Sequence, residues 1–284
     1  KQFYDNHLSQ ASYLVGCQRT GEAIIIDPVR DLTKYMEVAD SEGFKITQAA
    51  ETHIHADFAS GIRDVAARLN ANIYVSGEGD DQLSYKNMPK QTHFVKHQDI
   101  IHVGNIKLEV LHTPGHTPES ISFLLTDEGG GSSVPMGLFS GDFIFVGDIG
   151  RPDLLEKSVQ MEGTTEIGAK QMYQSIEGIK DLPDYIQIWP GHGAGSPCGK
   201  ALGAIPMSTL GYEKINNWAF NVTDESKFVE QLTSNQPAPP HHFAQMKKIN
   251  QFGMSMYQPY NVYPSLDNVR IAFDLRSKEA FHGG

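Results

Sequence analysis

Along the first two-thirds of the chain, short apolar runs alternate with stretches in which apolar residues recur every three or four positions. The runs AIIIDPV (23–29), NIYVSG (72–77), IKLEVLHT (106–113), SISFLL (120–125) and YIQIWPG (185–191) are rich in β-branched residues and predict strands. Several are too uniformly apolar to keep one face in water, so helices are expected to cover them. Amphipathic spacing predicts those helices at 31–43, 61–71, 163–179 and 206–220, with Thr164 or Thr165 placed to cap the third. The polar, glycine-rich stretch at 126–137 predicts a surface loop between strands.

After residue 220 the pattern changes. A short helical run near 223–233 leads into TSNQPAPPHH (233–242), whose prolines disfavour helix and sheet and predict a linker. The expected organisation is a first domain over 1–222, then linker helices and an incomplete further segment over 223–284. The chain opens on Lys1, which is not an initiator methionine, so a longer parent chain is expected.

Of the 284 residues, 39% are hydrophobic and 20% charged, the balance of a globular protein with a substantial core. A net charge of −11 would repel nucleic acid and anionic membrane surfaces alike, so neither is an expected partner. Two cysteines make no disulfide framework, and no signal peptide or long apolar span is evident, so a reducing cytoplasm is expected. Composition leaves room for a homo-oligomer without pointing to one.

The chemistry gathers in four turns: THIHAD with His53, His55 and Asp57; HTPGHT with His112 and His116; FSGD with Asp142; and PGHG with His192. An isolated histidine is more often a hydrogen-bonded surface or core residue than a ligand, and His112 is expected to be one. Three imidazole or carboxylate groups at alternating positions are different, because packing them together is costly without a compensating cation. Ligand sites in α/β sheets gather where strands run out into loops, so the four turns are expected to converge on one metal cavity.

In this order the motifs H-x-H-x-D, TPGHT, SGD and PGH resemble those of the metallo-β-lactamase superfamily over about residues 1–220. The resemblance implies an α/β fold, a four-layer αβ/βα sandwich with metal at one edge between the sheets, and no particular reaction. Dinuclear hydrolases of this superfamily, glyoxalase II-like thioesterases among them, carry H-x-H-x-D-H. Here Phe58 takes the last position, and a phenyl ring has no lone pair to offer. One metal is therefore favoured: zinc held by His53, His55 and His116, or iron held by His53, His116 and Asp142, the two-histidine, one-carboxylate face that leaves positions open for substrate and O2. The second set resembles the persulfide dioxygenase branch, in which His55 stands behind the metal. Asp57 is assigned there too, orienting a water or His192.

Two further features agree with that branch. GDIGRPDL (147–154) resembles its Gly-Arg-x-Asp turn, where Arg151 either pairs with Asp153 to support the loop or attracts an anionic substrate group. WPGHGAGSPCGKALG (189–203) is a glycine-rich loop expected to be mobile, where a cysteine between Pro197 and Gly199 is not an obvious core residue; it resembles the corresponding loop of persulfide dioxygenases fused to rhodanese domains, which implies that Cys198 accepts a sulfane sulfur provided its thiolate is accessible. Cys17 is expected to be structural. The tail FDLRSKEAFHGG resembles the opening of a rhodanese-like domain, whose sulfur-carrying cysteine is not among these residues.

The implied activity is Fe(II)-dependent persulfide oxidation with one iron per domain: a persulfide of a small thiol such as glutathione, coenzyme A or bacillithiol, with O2, gives sulfite and thiol. Catalytic roles fall to His192, Cys198 and Arg151, and a rhodanese partner in the parent chain would extend the product to thiosulfate. The alternatives are a glyoxalase II-like hydrolase with two metals and a non-catalytic sulfur carrier working through Cys198 alone.

Overall fold

The computed structural model describes residues 1–79, 83–159 and 163–254. Two six-stranded mixed sheets face one another. The first holds, in spatial order, β1 (Gln2–Asp5), β2 (Gln10–Gly16), β3 (Glu22–Ile26), β4 (Lys45–Ala50), β5 (Asn72–Ser76) and β6 (Thr92–Val95). Its first three strands pair antiparallel, and β3 through β6 run parallel. The second holds β7 (Ile100–Val103), β8 (Ile106–His112), β9 (Ile121–Asp127), β10 (Gly137–Gly141), β11 (Gln187–Pro190) and β12 (Ser208–Thr209). It is antiparallel except where β10 meets β11.

Parallel neighbours need a crossover, and helices supply it for three of the four parallel pairs, the β5–β6 connection holding none among the described residues. Helix α1 (Thr33–Ser41) links β3 to β4, and α2 (Ile62–Leu69) links β4 to β5. Between β10 and β11 come α3 (Leu154–Val159) and α4 (Thr164–Ile179); after β12 come α5 (Leu210–Asn216), α6 (Trp218–Asn221), α7 (Glu225–Thr233) and α8 (Phe243–Phe252).

The period-two alternation of β3 shows why four layers form. Ile24 and Ile26 point between the sheets, against Leu108, Val110 and Phe123, whereas Ile25 points outward among Tyr35, Ala39 and Val65 of α1 and α2. All three isoleucines are fully buried, each contributing about 1.5–3 kcal/mol of transfer free energy. On the other side, Leu124, Leu138 and Ile188 meet Met172 and Ile176 of α4 and Phe228 of α7. The result is the expected helix–sheet–sheet–helix sandwich.

Some local expectations give way. The helix expected over 206–220 is interrupted at Asn217, whose extended backbone (φ −79°, ψ 123°) ends α5 and whose side chain caps α6 by accepting from the Ala219 N–H. Neither Thr164 nor Thr165 caps α4. Gly163, in the left-handed region at φ 76°, occupies that position, and the Thr165 N–H goes instead to the Glu156 carboxylate. Helix α7 is no free linker element, since Phe228 and Leu232 are buried in the core beneath α4. The rhodanese-like segment expected at 268–284 lies outside the described residues. Among the described residues, no helix is long and apolar enough to cross a membrane.

Candidate metal centre

The four histidine and carboxylate turns follow the ends of β4, β8, β10 and β11, all at one edge of the sandwich. The backbone there is crowded enough to require glycine. Gly141 adopts φ 52°, and a Cβ would fall 2.5 Å from Thr52 Oγ1; at Gly191 it would fall 2.7 Å from Asp142 Oδ1. Small residues at these two turns let strands β10 and β11 bring Asp142 and His192 toward the loop after β4.

Two groups of donors result. Potential ligand atoms of His53, His116 and Asp142 lie within 4.8 Å of one another, and so do those of Asp57, His192 and Cys198; all six residues are buried. Asp142 stands between the groups. Its Oδ2 is 3.4 Å from His116 Nε2 and 3.9 Å from His53 Nε2, while its Oδ1 is 3.4 Å from His192 Nε2. Asp57 Oδ2 approaches His192 Nε2 to 3.3 Å.

The far side of each ring fixes its tautomer. His116 Nδ1 meets the Arg151 carbonyl at 2.9 Å and His192 Nδ1 meets the Ser9 carbonyl at 3.1 Å. A carbonyl only accepts, so both Nδ1 atoms donate and the Nε2 lone pairs face Asp142. Thr52 Oγ1 donates to Asp27 and so can accept from His53 Nδ1 at 3.0 Å, which orients the third ring likewise. Burial, then the neighbouring His55 and His116, hold His53 well below the usual imidazole range, and burial lowers His116 despite Asp142.

His55 is turned away. Its Nε2 lies 3.1 Å from Asp27 Oδ1 and its ring packs on Phe58 with centroids 4.4 Å apart. Burial opposes its charge, but Asp27, Glu51 and Asp57 outweigh that and push its pKa up to about 9. Asp27 is the functional residue that the sequence pattern does not single out. Buried behind the loop at φ 53°, it also accepts from the Thr52 N–H and hydroxyl. Its only signal is an aspartate directly after an apolar strand, which reads as an ordinary turn.

The remaining candidates separate clearly. Arg151 is fully buried, with Nε and Nη2 forked onto Asp153 at 2.7 Å each and further donors on the Pro197 and Pro237 carbonyls, so its guanidinium supports the loops. Cys198 is only 2% exposed, which corrects the accessible loop thiolate expected from its Pro and Gly neighbours. Burial, Asp142 and Asp57 all push its thiol pKa well above the ordinary value. His112 is half-buried rather than core, and bonds the Pro118 carbonyl. Cys17 is buried at the opposite end, accepting from the Asn105 N–H.

The donor set fits a cation. Both Asp142 oxygens, Asp57 Oδ2 and His192 Nε2 are buried without a hydrogen-bond partner, and each such orphan costs about 1–3 kcal/mol, more when charged. A metal ion among neutral imidazoles and carboxylates removes that cost. Residues 6–195 match the metallo-beta-lactamase superfamily, and the chain belongs to it. The crystal structure of a metallo-beta-lactamase from Staphylococcus aureus subsp. aureus COL is 76% identical with a TM-score of 0.88, covering 94% of this chain and 76% of that one. The structure of ETHE1 from Myxococcus xanthus is 24% identical with a TM-score of 0.71, over 88% of this chain and 97% of that one, a likeness of fold. Among curated proteins, a hydroxyacylglutathione hydrolase of Dictyostelium discoideum is 29% identical over 89% of this chain and 85% of its own length.

Proposed function

We propose that this protein is a non-haem Fe(II) persulfide dioxygenase, oxidising the persulfide of a small thiol: R–S–SH, O2 and water give R–SH and sulfurous acid, which ionises to sulfite. One observation carries the proposal. His53, His116 and Asp142 converge as two neutral imidazoles and one carboxylate, while His55 is committed to Asp27 and Phe58 fills the position where a further ligand would stand. That set suits ferrous iron and leaves adjacent positions free, and the ion would supply a centre on which the sulfur anion and O2 meet.

The chain's own residues set the surroundings. His53 and His116 present lone pairs whose direction is fixed by Thr52 and by the Arg151 carbonyl. His192, held by Ser9 and faced by Asp57, is placed to take up and return a proton at Nε2 as the thiol leaves. Cys198, in the same cavity, can exchange sulfur as Cys–SH plus R–S–SH gives Cys–S–SH plus R–SH, once the 196–203 loop admits the substrate. Arg151 keeps that loop in place. The substrate thiol is of the glutathione, coenzyme A or bacillithiol type, the expected setting is the cytoplasm, and a rhodanese domain in a longer parent would carry the product to thiosulfate.

A second reading has its own support. Asp57, His192 and Cys198 form a second trio able to hold a cation, and the curated relatives are named hydroxyacylglutathione hydrolases. That favours a two-metal thioester hydrolase. Elemental analysis of anaerobically prepared protein, with an oxygen-electrode trace on glutathione persulfide, separates the two. One iron per chain and oxygen uptake are expected; two metals and oxygen-independent cleavage of a hydroxyacylglutathione would overturn the dioxygenase.

A further inference from the structure

The loop that carries His53, His55 and Asp57 is held from behind by a helix lying beyond the family match at residues 6–195. From α8, the Asn250 amide donates to the His55 carbonyl at 2.8 Å and the Phe58 carbonyl at 2.7 Å, while its oxygen accepts from the Ser60 N–H at 2.9 Å. One side chain thus satisfies three backbone groups of a loop with no strand to pair with. One turn earlier, Lys247 Nζ lies 3.4 Å from the Ile54 carbonyl and 3.8 Å from Glu119 Oε1, which itself accepts from the Ile54 N–H at 3.0 Å. Phe243, at the start of α8, packs with Ala56 and Cys198.

The helix is anchored in turn. The Lys86 N–H and the Arg63 guanidinium reach the Gln251 carbonyl, and Asn87 donates to the Phe252 carbonyl, so the open end of α8 is tied to α2 and the 83–88 segment. Lys247 and Asn250 are each only 6% exposed, burial that surface residues of these types do not reach without a structural reason.

We propose that Asn250, assisted by Lys247, is a positioning residue for the metal: α8 sets the path of backbone 54–60 and thereby the aim of His53 and Asp57. This rests on reading His53, His116 and Asp142 as the metal-holding set. Carboxylate or imidazole partners behind metal ligands are worth about 10- to 100-fold in affinity, and a clamp acting through the backbone belongs at the lower end.

The test uses the full chain loaded with Co(II) without oxygen, reading the d–d absorption bands and the rate of release to a chelator. Asn250→Asp keeps the volume and the acceptor but loses both donations. It is expected to shift the bands and release cobalt about tenfold faster, with Lys247→Met changing in the same direction and exposed Lys248→Ala behaving as wild type. Should Asn250→Asp fail to fold, Lys247→Met carries the test. Bands and release rates unchanged in the folded variants would overturn the positioning role alone. Wild-type protein that takes up no cobalt would overturn the metal reading beneath it.

Discussion

Two donor trios share one cavity, yet they are prepared differently. In His53, His116 and Asp142, both imidazoles are pinned at Nδ1, their pKa values are depressed and the carboxylate oxygens are buried beside the ring nitrogens that face them. Asp57, His192 and Cys198 include a thiol that burial and two nearby carboxylates keep protonated. The first trio can receive a cation as it stands, whereas the second must lose a proton from Cys198 before sulfur can ligate strongly. Proximity alone therefore does not rank two candidate sites; the protonation state that surrounds each donor does.

Removing the carboxylate that stands between the two trios should have the largest effect. Asp142→Ala is expected to abolish bound metal and oxygen uptake together, measured by elemental analysis and oxygen electrode; full iron occupancy would remove Asp142 from the ligand set. Next, His116→Ala should lose metal while His192→Ala keeps it and loses turnover, and equal metal loss in both would erase the ranking of the trios. Asp27→Ala takes from the buried His55 imidazole its hydrogen-bonded carboxylate and should cost about 3–5 kcal/mol, read as a fall in unfolding free energy by denaturant titration. A loss under about 1 kcal/mol would mean that this pair does not hold the loop.

Smaller effects sharpen the second trio. Phe58→His should raise metal stoichiometry above one, because it restores a donor beside His55; an unchanged ratio would show that the ring is not what limits the count. Cys198→Ser is expected to leave iron content as it was and to alter product distribution or substrate preference, and a loss of iron would move the thiol into the first metal's shell.

Much of the sandwich was legible because its strands are continuous apolar runs and its donors sit in turns with recognisable spacing. Ile24 to Ile26 announce a strand with two buried faces, and the order of the His53, His116, Asp142 and His192 turns announces the cavity. Short edge strands such as β1 and β12 carry little periodicity, and Asn217 breaks a helix by a backbone choice that its apolar spacing conceals. Phe58 was visible as an exception, but its contact with His55 depends on Asp27 drawing the ring aside. The burial of Cys198 is hidden in the sequence for a similar reason: Pro and Gly neighbours suggest an open loop, while Arg151 and Phe243, distant in sequence, close it. Lys247 and Asn250 gave no signal, since nothing in a polar helix reveals which distant carbonyls it will serve.

The grip of α8 on the 54–60 backbone also orders events during synthesis. As the chain emerges from the ribosome, His53 and His55 appear early, His192 much later, and Asn250 later still. A nascent chain that captured a stray divalent ion on its first histidines would do so before the rest of the cage existed. Correct loading is thus expected only after Asn250 has emerged and the loop is held, so the divalent ions available at that moment, rather than earlier in elongation, would decide what the donors receive.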